Sequence, residues 1–570
     1  MVNIKINNES LNLEEGMTIL EAAKKANYKI PTLCYQENLS IYGGCRLCVV
    51  EIKGQEQLPI SCATEIKEGM EIYTHSEKVR EARKNIFQLM IANHPFDCNL
   101  NCLTCQKSDN CELKDLAKEI GVSELKYESI EKEWKKDTDS FSIEKELSKC
   151  ISCGRCVRTC REIQHTGVLT MTNRGPATIV STFLDKGLDY VDCVNCGQCI
   201  LACPTGALHE VYSINQVISE ITNPKKHVIV QTAPAVRVAI GEEFGLEPGI
   251  NMEKKMVTAL RKMNFDKVFD TNFTADLTII EEGYEFIDRL TNGGVLPLIT
   301  SCSPGWVKFG EHNFPELLDN ISTCKSPQQM FGALSKSYYA EKTGIDPKNI
   351  VSVSIMPCTA KKYEKSREEQ KNDGYQNVDY VLTTREFAKM IKWYGIDFLN
   401  LKDSEYDKPF GISTGAAAIF GASGGVMEAA LRTAYEVITK KELKNINFEA
   451  VRGLEGIKEA TVDIDGTIIN VAVANGLENA YQLLKNKEKY HFIEIMACPG
   501  GCLGGGGQPI SRDPNVLEKR KDGLYSIDQK REYRKSHENP DIKKLYDEFL
   551  EKPLSEKSHK YLHTHYQKRD

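Results

Sequence analysis

Apolar positions along the chain follow two different rhythms. Near the start, Asn3–Asn7 and a partner at Leu11–Leu13 alternate apolar and polar residues, the signature of half-buried strands. A helix is predicted at about Thr18–Ala26, with Thr18 as its cap and Glu21 in capping-box position. Glu77–Ala92 carries the period of a basic, amphipathic helix, whereas Ser123–Phe141 is charged and poorly periodic and reads as a linker with some helix. Beyond residue 210 the pattern changes. Short apolar runs at His227–Gln231, Val295–Thr300, Val351–Met356, Tyr380–Thr383 and Phe492–Met496 predict buried parallel strands. Helical stretches separate them, among them Glu253–Met263, Asp276–Leu290 and Thr384–Trp393. The result is a multidomain chain, with small α+β modules first and an α/β region after them. A charged tail, Ser511–Asp570, follows, with a helix at Asp541–Leu550.

Composition narrows the possibilities. A chain of 570 residues is long enough for several domains, each with its own core. Its formal net charge of −7 gives no reason to expect nucleic acid or a membrane surface. No apolar run approaches the ~18 residues of a membrane span. The opening, MVNIKINNES, lacks the build of a signal peptide, so a cytoplasmic location is expected.

Cysteine changes the picture most. The chain has 21, and without an export signal these point to metal ligands rather than disulfides. In residues 1–78, Cys34, Cys45, Cys48 and Cys62 suit a [2Fe–2S] cluster in a loop-rich module, with a four-cysteine zinc site as the alternative. In residues 79–125, His94 stands beside Cys98, Cys102, Cys105 and Cys111. A lone histidine is usually a polar surface residue, but one beside four cysteines is a better ligand candidate. In residues 126–209, Cys150, Cys153, Cys156 and Cys160 are followed by a second run, Cys193, Cys196, Cys199 and Cys203. This doubled spacing is that of a bacterial two-[4Fe–4S] ferredoxin, in which the fourth cysteine of each run serves the other cluster. One cluster then takes Cys150, Cys153, Cys156 and Cys203, and the other Cys193, Cys196, Cys199 and Cys160.

Residues 210–570 hold three further motifs: TSCSPGW at Thr300–Trp306, IMPCTAKK at Ile355–Lys362, and the glycine-rich EIMACPGGCLGGGGQ at Glu494–Gln508. Three predicted strands run straight into Cys302, Cys358 and Cys498, and ligand sites in α/β sheets gather beyond the carboxyl ends of strands. On the predicted helix Asp276–Leu290, Glu282, Glu285 and Arg289 share one face, a pattern more often solvated than functional. Cys324 stands apart from the motifs and reads as a buried thiol.

The three motifs together resemble the catalytic signatures of the [FeFe]-hydrogenases, and the likeness extends along nearly the whole chain to the clostridial, ferredoxin-linked type. The resemblance implies a β-grasp [2Fe–2S] ferredoxin-like domain, a His/Cys [4Fe–4S] domain, a bacterial two-[4Fe–4S] ferredoxin domain and a two-lobed α/β catalytic domain. For the second module it implies a His-x3-Cys-x2-Cys-x5-Cys ligand pattern. Cys102, Cys105 and Cys111 fit its thiolates, with Cys98 as the alternative first one. The implied cofactors are one [2Fe–2S] cluster, three accessory [4Fe–4S] clusters and the H-cluster, a [4Fe–4S] cube bridged to a two-iron unit with CO and cyanide ligands. Cys358, Cys498 and Cys502 match the family's cube ligands, with Cys502 shared with the two-iron unit.

The fourth ligand position departs from the family, which has two adjacent cysteines where this chain has Cys302-Ser303. Either Ser303 takes the ligand place and Cys302 keeps a proton-donor role, or Cys302 binds the cube. A serine oxygen is the harder and poorer ligand for iron, which favours Cys302. Lys361 would donate a hydrogen bond to a cyanide ligand. Pro234, Gln328, Met356, Phe420 and Met496 would line the pocket, and the small residues of Gly411–Arg432 suit close packing over a cofactor. Glu282, Glu285, Arg289 and Ser322 would form a proton relay.

The implied activity is reversible reduction of protons to H2 in an anaerobic cytoplasm. Expected partners are reduced ferredoxin or flavodoxin and the maturation proteins, with the enzyme itself a monomer. Ser303 leaves room for a hydrogen sensor or a slow, uptake-biased enzyme. An iron–sulfur assembly factor or an electron-transfer subunit of a dehydrogenase complex would share only parts of the pattern. No nucleotide-binding fingerprint suggests direct use of NADH.

Overall fold

The computed structural model describes residues 1–94, 105, 107–127, 136–443 and 445–569, in two compact units. The predicted ligands Cys98 and Cys102, and residues 128–135 of the linker, lie outside the described residues, and the described remainder of the linker 123–141 is not helical.

The first unit comprises 1–162, 167–191 and 199–209. It opens with a four-stranded sheet in the order Glu9–Leu13, Val2–Ile6, Glu71–Tyr73, Glu51–Ile52. The first two strands pair antiparallel, and Val2–Ile6 pairs parallel with Glu71–Tyr73, as in a β-grasp. Val2, Ile4 and Ile6 face inward onto Ile19, Ala22 and Ala23 of the helix Ile19–Lys25. That helix starts at Thr18 with the full capping box to Glu21. A longer helix, Glu77–Ile91, buries Phe87 and Ile91 against Leu113 and Leu116 of Glu112–Ile120.

The second unit comprises 163–166, 192–198 and 210–570, and is built on two sheets. One is fully parallel, in the order Lys267–Asp270, His227–Thr232, Ile350–Met356, Tyr380–Thr383. Every residue of Ile350–Met356 is buried, which is why that strand reads as a continuous apolar run. The other sheet has the order Leu298–Ile299, Phe492–Met496, Thr467–Asn475, Ile457–Ile464. Its first three strands are parallel, and the last two form an antiparallel hairpin. The strand expected at Val295–Thr300 shrinks to two residues, because Pro297 has no N–H to give to a ladder. The hairpin turns on Asp465-Gly466, both at positive φ, the pair that suits a tight two-residue turn.

The helix expected at Asp276–Leu290 is longer, Thr271–Asn292. Asp270 caps its start by accepting from the Asn272 N–H, and Gly293 ends it in the left-handed region. In the tail, Pro540–Leu545 is α-helical and Tyr546–Leu550 continues as a π turn. No described helix is long and apolar enough to cross a membrane.

Candidate active site

The carboxyl ends of the two sheets of the second unit converge on one cavity. Ile350–Met356 delivers Cys358 from the parallel sheet, while Leu298–Ile299 and Phe492–Met496 deliver Cys302 and Cys498 from the other. Cys502, Ser303 and Lys361 also line it, as do Pro234, Gln328, Met356, Phe420 and Met496. Every residue expected around this pocket therefore borders the same space.

Backbone closes around the cavity at the glycine-rich loop. A Cβ on Gly505 would stand 2.3 Å from the Pro357 carbonyl oxygen, and Gly501 sits at φ +76. The cavity is otherwise apolar, so burial pushes its thiols up: Cys358 rises, and Cys502 reaches about 12, with crowding by Cys358 adding to burial. Sulfurs drawn into one dry pocket from three motifs are a donor set that a cationic iron centre would neutralise. Gln328 is buried and its Oε1 has no hydrogen-bond partner in this wall, although its Nε2 donates to Glu364 at 3.0 Å. This combination of soft donors, an apolar lining and backbone closed around the space fits an iron–sulfur group.

Cys302 and Ser303 differ in their surroundings. The Cys302 thiol is raised by burial first and then by the charge of Glu282, and Cys302 packs against a core cluster that includes Ala275 and Ile279 of the helix Thr271–Asn292. Ser303 Oγ instead accepts from the Ala497 N–H at 3.2 Å, beside Cys498. Lys361 Nζ donates to the Cys302 carbonyl and to both oxygens of Glu364, each at 3.0 Å.

From Glu282, whose charge acts on Cys302, a polar line runs through Ser322 and Glu285 to Arg289. Glu282 and Glu285 are 2 % and 8 % exposed, which removes the solvated-face reading of this helix. Burial lifts the Glu282 carboxyl to about 8, with Glu285 and Glu494 adding to it and a hydrogen bond with Ser322 opposing it. Ser322 Oγ donates to Glu285 Oε2 at 2.8 Å, and Arg289 Nη2 donates to Glu285 Oε1 at 2.6 Å.

Sequence reasoning passed over three contributors. Glu364 holds Lys361 from three residues on, a spacing visible in the sequence. Glu494, inside the glycine-rich motif, is buried on the strand and accepts from the N–H groups of Gly424 and Met427. The third is the segment 192–198. Cys196 borders the cavity, Thr359 Oγ1 donates to the Asn195 carbonyl at 2.7 Å, and Gln198 Nε2 donates to the Gly504 carbonyl at 2.7 Å. Of the cysteines expected to hold accessory clusters, Cys196 thus borders the central cavity.

In the first unit, Cys34, Cys45, Cys48 and Cys62 are all buried, and the sulfurs of Cys48 and Cys62 lie 3.4 Å apart. Cys150, Cys153, Cys156 and Cys203 surround one small cavity. His94, Cys105 and Cys111 are buried. Cys160 and Cys199 belong to this unit, whereas Cys193 and Cys196 belong to the second.

Comparison with known proteins matches these regions one by one. The profile described as "Iron only hydrogenase large subunit, C-terminal domain" covers residues 226–506, and "Iron hydrogenase small subunit" covers 514–569. A "2Fe-2S iron-sulfur cluster binding domain" covers 1–77, an "NADH-ubiquinone oxidoreductase-G iron-sulfur binding region" 83–126, and a "4Fe-4S dicluster domain" 149–207. The chain is 50% identical to the NADP-reducing hydrogenase subunit HndD of Solidesulfovibrio fructosivorans, across 100% of this chain and 99% of that protein. It is 43% identical to iron hydrogenase 1 of Clostridium pasteurianum, across all of both. A solved structure of the [FeFe]-hydrogenase HydA1 from Chlamydomonas reinhardtii covers 62% of this chain and 98% of its own, at 44% identity and a TM-score of 0.57.

Proposed function

Because the chain belongs to the [FeFe]-hydrogenase family, we propose that it joins two protons and two electrons reversibly into H2 at the central cavity. The observation that carries this reading is the convergence of Cys302, Cys358, Cys498, Cys502 and Lys361 on one apolar space. Cys358, Cys498 and Cys502 would hold the cube of the H-cluster. When bound, that cofactor supplies the redox-active iron at which electrons and protons meet.

The chain's own residues do the rest. Lys361, fixed by Glu364 and the Cys302 carbonyl, presents a cation to an anionic cofactor ligand. Met356, Phe420 and Met496 keep water out. Glu282, held neutral at pH 7, hands a proton towards Cys302 and is resupplied through Ser322 and Glu285. We assign Cys302 to this proton route and Ser303 to the fourth ligand place, against the preference that ligand hardness alone suggested. The charge neighbours of Cys302 and the position of Ser303 beside Cys498 support this choice.

That assignment predicts a spectroscopic result. Oxygen donation favours oxidised iron, so Ser303→Cys is expected to raise the reduction potential of the cube and change its electron paramagnetic resonance signal. The protein is best produced without the two-iron unit for this comparison. Identical potentials and spectra would return the fourth ligand place to Cys302.

Electrons would enter through the accessory clusters, and ferredoxin or flavodoxin is a fitting donor. Plant-type ferredoxins near about −400 mV can drive proton reduction. A second reading of the donor has its own support: the HndD relative is described as an NADP-reducing hydrogenase subunit. A partner subunit that handles the nucleotide would then deliver or accept the electrons.

Infrared spectroscopy of the matured protein tests the function directly. CO and cyanide bands that shift between argon and H2 are the expected result. Their absence after full maturation, with iron matching the accessory clusters alone, would leave an electron-transfer or scaffold protein.

A further inference from the structure

We propose that His563, with the exposed His559 beside it, is a second proton inlet that delivers to Glu285 in parallel with the Arg289 end of the relay. The inference rests on the proton-reducing function above.

The two histidines come from the tail, on and just after the helix Glu556–Leu562. His559 is exposed, and its ring centroid lies 4.4 Å from that of the buried His563. His563 sits between two anchors. Its Nδ1 meets Thr323 Oγ1 at 2.8 Å and its Nε2 meets Glu281 Oε2 at 3.1 Å. Glu281 also accepts from Tyr546 Oη and from the Leu554 N–H. Burial alone would raise the Glu281 carboxyl, but these partners outweigh it and hold it below its ordinary value. The anionic Glu281 thus holds the imidazole in place through its Nε2.

On the inner side, a nitrogen of His563, the Cys324 Sγ and an oxygen of Glu285 all lie within 4.8 Å of one another. The Cys324 thiol already donates to Glu285 Oε2 at 3.8 Å. That gap is one that the thiol or a single water can bridge. A proton taken from solvent by His559 passes to the His563 ring, and one leaves that ring for Glu285. Only N–H, S–H and O–H bonds form and break, and one proton moves inward for each taken up. The titratable groups facing His563 are Glu281, Glu285, Cys324 and His559, and His565 acts on His559.

The test uses the matured holoenzyme and H2 evolution from reduced methyl viologen. His563→Gln and Arg289→Met are made singly and together, with infrared bands as the control for an intact cofactor. Parallel inlets predict that each single variant keeps at least about a third of the rate while the pair loses about 100-fold, far more than the product of the two. The pair should also show an enlarged solvent deuterium effect and partial rescue by added imidazole. A double variant equal to the product of the singles, with no imidazole rescue, overturns the proposal and leaves His563 as a strut for the tail. Should His563→Gln fail to mature, His559→Gln with Arg289→Met tests the same inlet from an exposed position, with the same two outcomes. A wild-type protein with neither bands nor activity would instead count against the hydrogenase reading itself.

Discussion

Glu282→Gln is expected to cut proton reduction by about 10²–10⁴-fold, the usual weight of a positioned proton donor, while leaving the cofactor bands in place. The substitution keeps size, burial and hydrogen-bonding capacity, but an amide cannot release its proton at any working pH. The effect is large because Glu282 is the carboxyl whose charge acts most on Cys302, and both the Arg289 end of the relay and the histidine branch deliver behind it. In the wild type the rate should also fall as pH rises through about 8, where Glu282 loses its proton. The same shift has a stability side. The folded value lies above the ordinary 4.5, so the native state holds this proton more tightly than the unfolded chain. Its stabilisation is complete below about 4.5 and is lost as pH rises through about 8. Glu282→Gln should remove that slope from the stability profile. Methyl viologen assays across this range, with infrared spectra of the same samples, check both limbs. A variant within about tenfold of wild type would place the proton donor elsewhere.

How far the chain could be read from its letters depended on how local each feature is. The capping box at Thr18 and the strand Tyr380–Thr383 follow from neighbouring residues, and the structure has them where the pattern puts them. The cavity residues were legible because each motif sits at the end of a strand whose burial is written in its apolar run. The hairpin Ile457–Asn475 was missed although Asp465-Gly466 is a strong turn signal, because its outer strand is half polar and resembles loop. Glu494 was hidden by its setting: a glutamate in an apolar strand looks like an interruption, and only the backbone N–H groups of Gly424 and Met427 show what it binds. Glu281 with His563 lies furthest from local reading, since the partners are 282 residues apart. The choice between Cys302 and Ser303 turned on the same limit. Ligand chemistry could be argued from the residue types, but the approach of Glu282 could not.

Arg432→Met is expected to destabilise the second unit by about 3–5 kcal/mol, because it strips the shared cation from two buried carboxylates. Arg432 is fully buried and donates from Nη2 to Glu428 at 2.6 Å and from Nη1 to Asp528 at 2.9 Å. Both carboxylates are also fully buried. Arg452 still reaches Glu428 and Arg534 still reaches Asp528, but both of those arginines are partly exposed and neither spans the pair. The pair matters because of what it joins. Glu428 lies on the helix Gly425–Thr439, within the small-residue stretch that brings Phe420 to the cavity. Asp528 lies on Val516–Lys530 in the charged tail, and it packs so closely on Gly415 that a Cβ there would stand 2.1 Å from its Oδ1. Among the described residues the tail carries no cavity-lining side chain, yet it holds the wall that does. Arg432→Met should therefore lower the calorimetric midpoint of the second unit and expose residues 514–569 to limited proteolysis. Arg432→Lys keeps the charge without the planar fork and should fall in between. An unchanged midpoint and an intact tail in Arg432→Met would mean that Arg452 and Arg534 suffice, and that apolar packing around Leu524 and Tyr525 holds the wall instead.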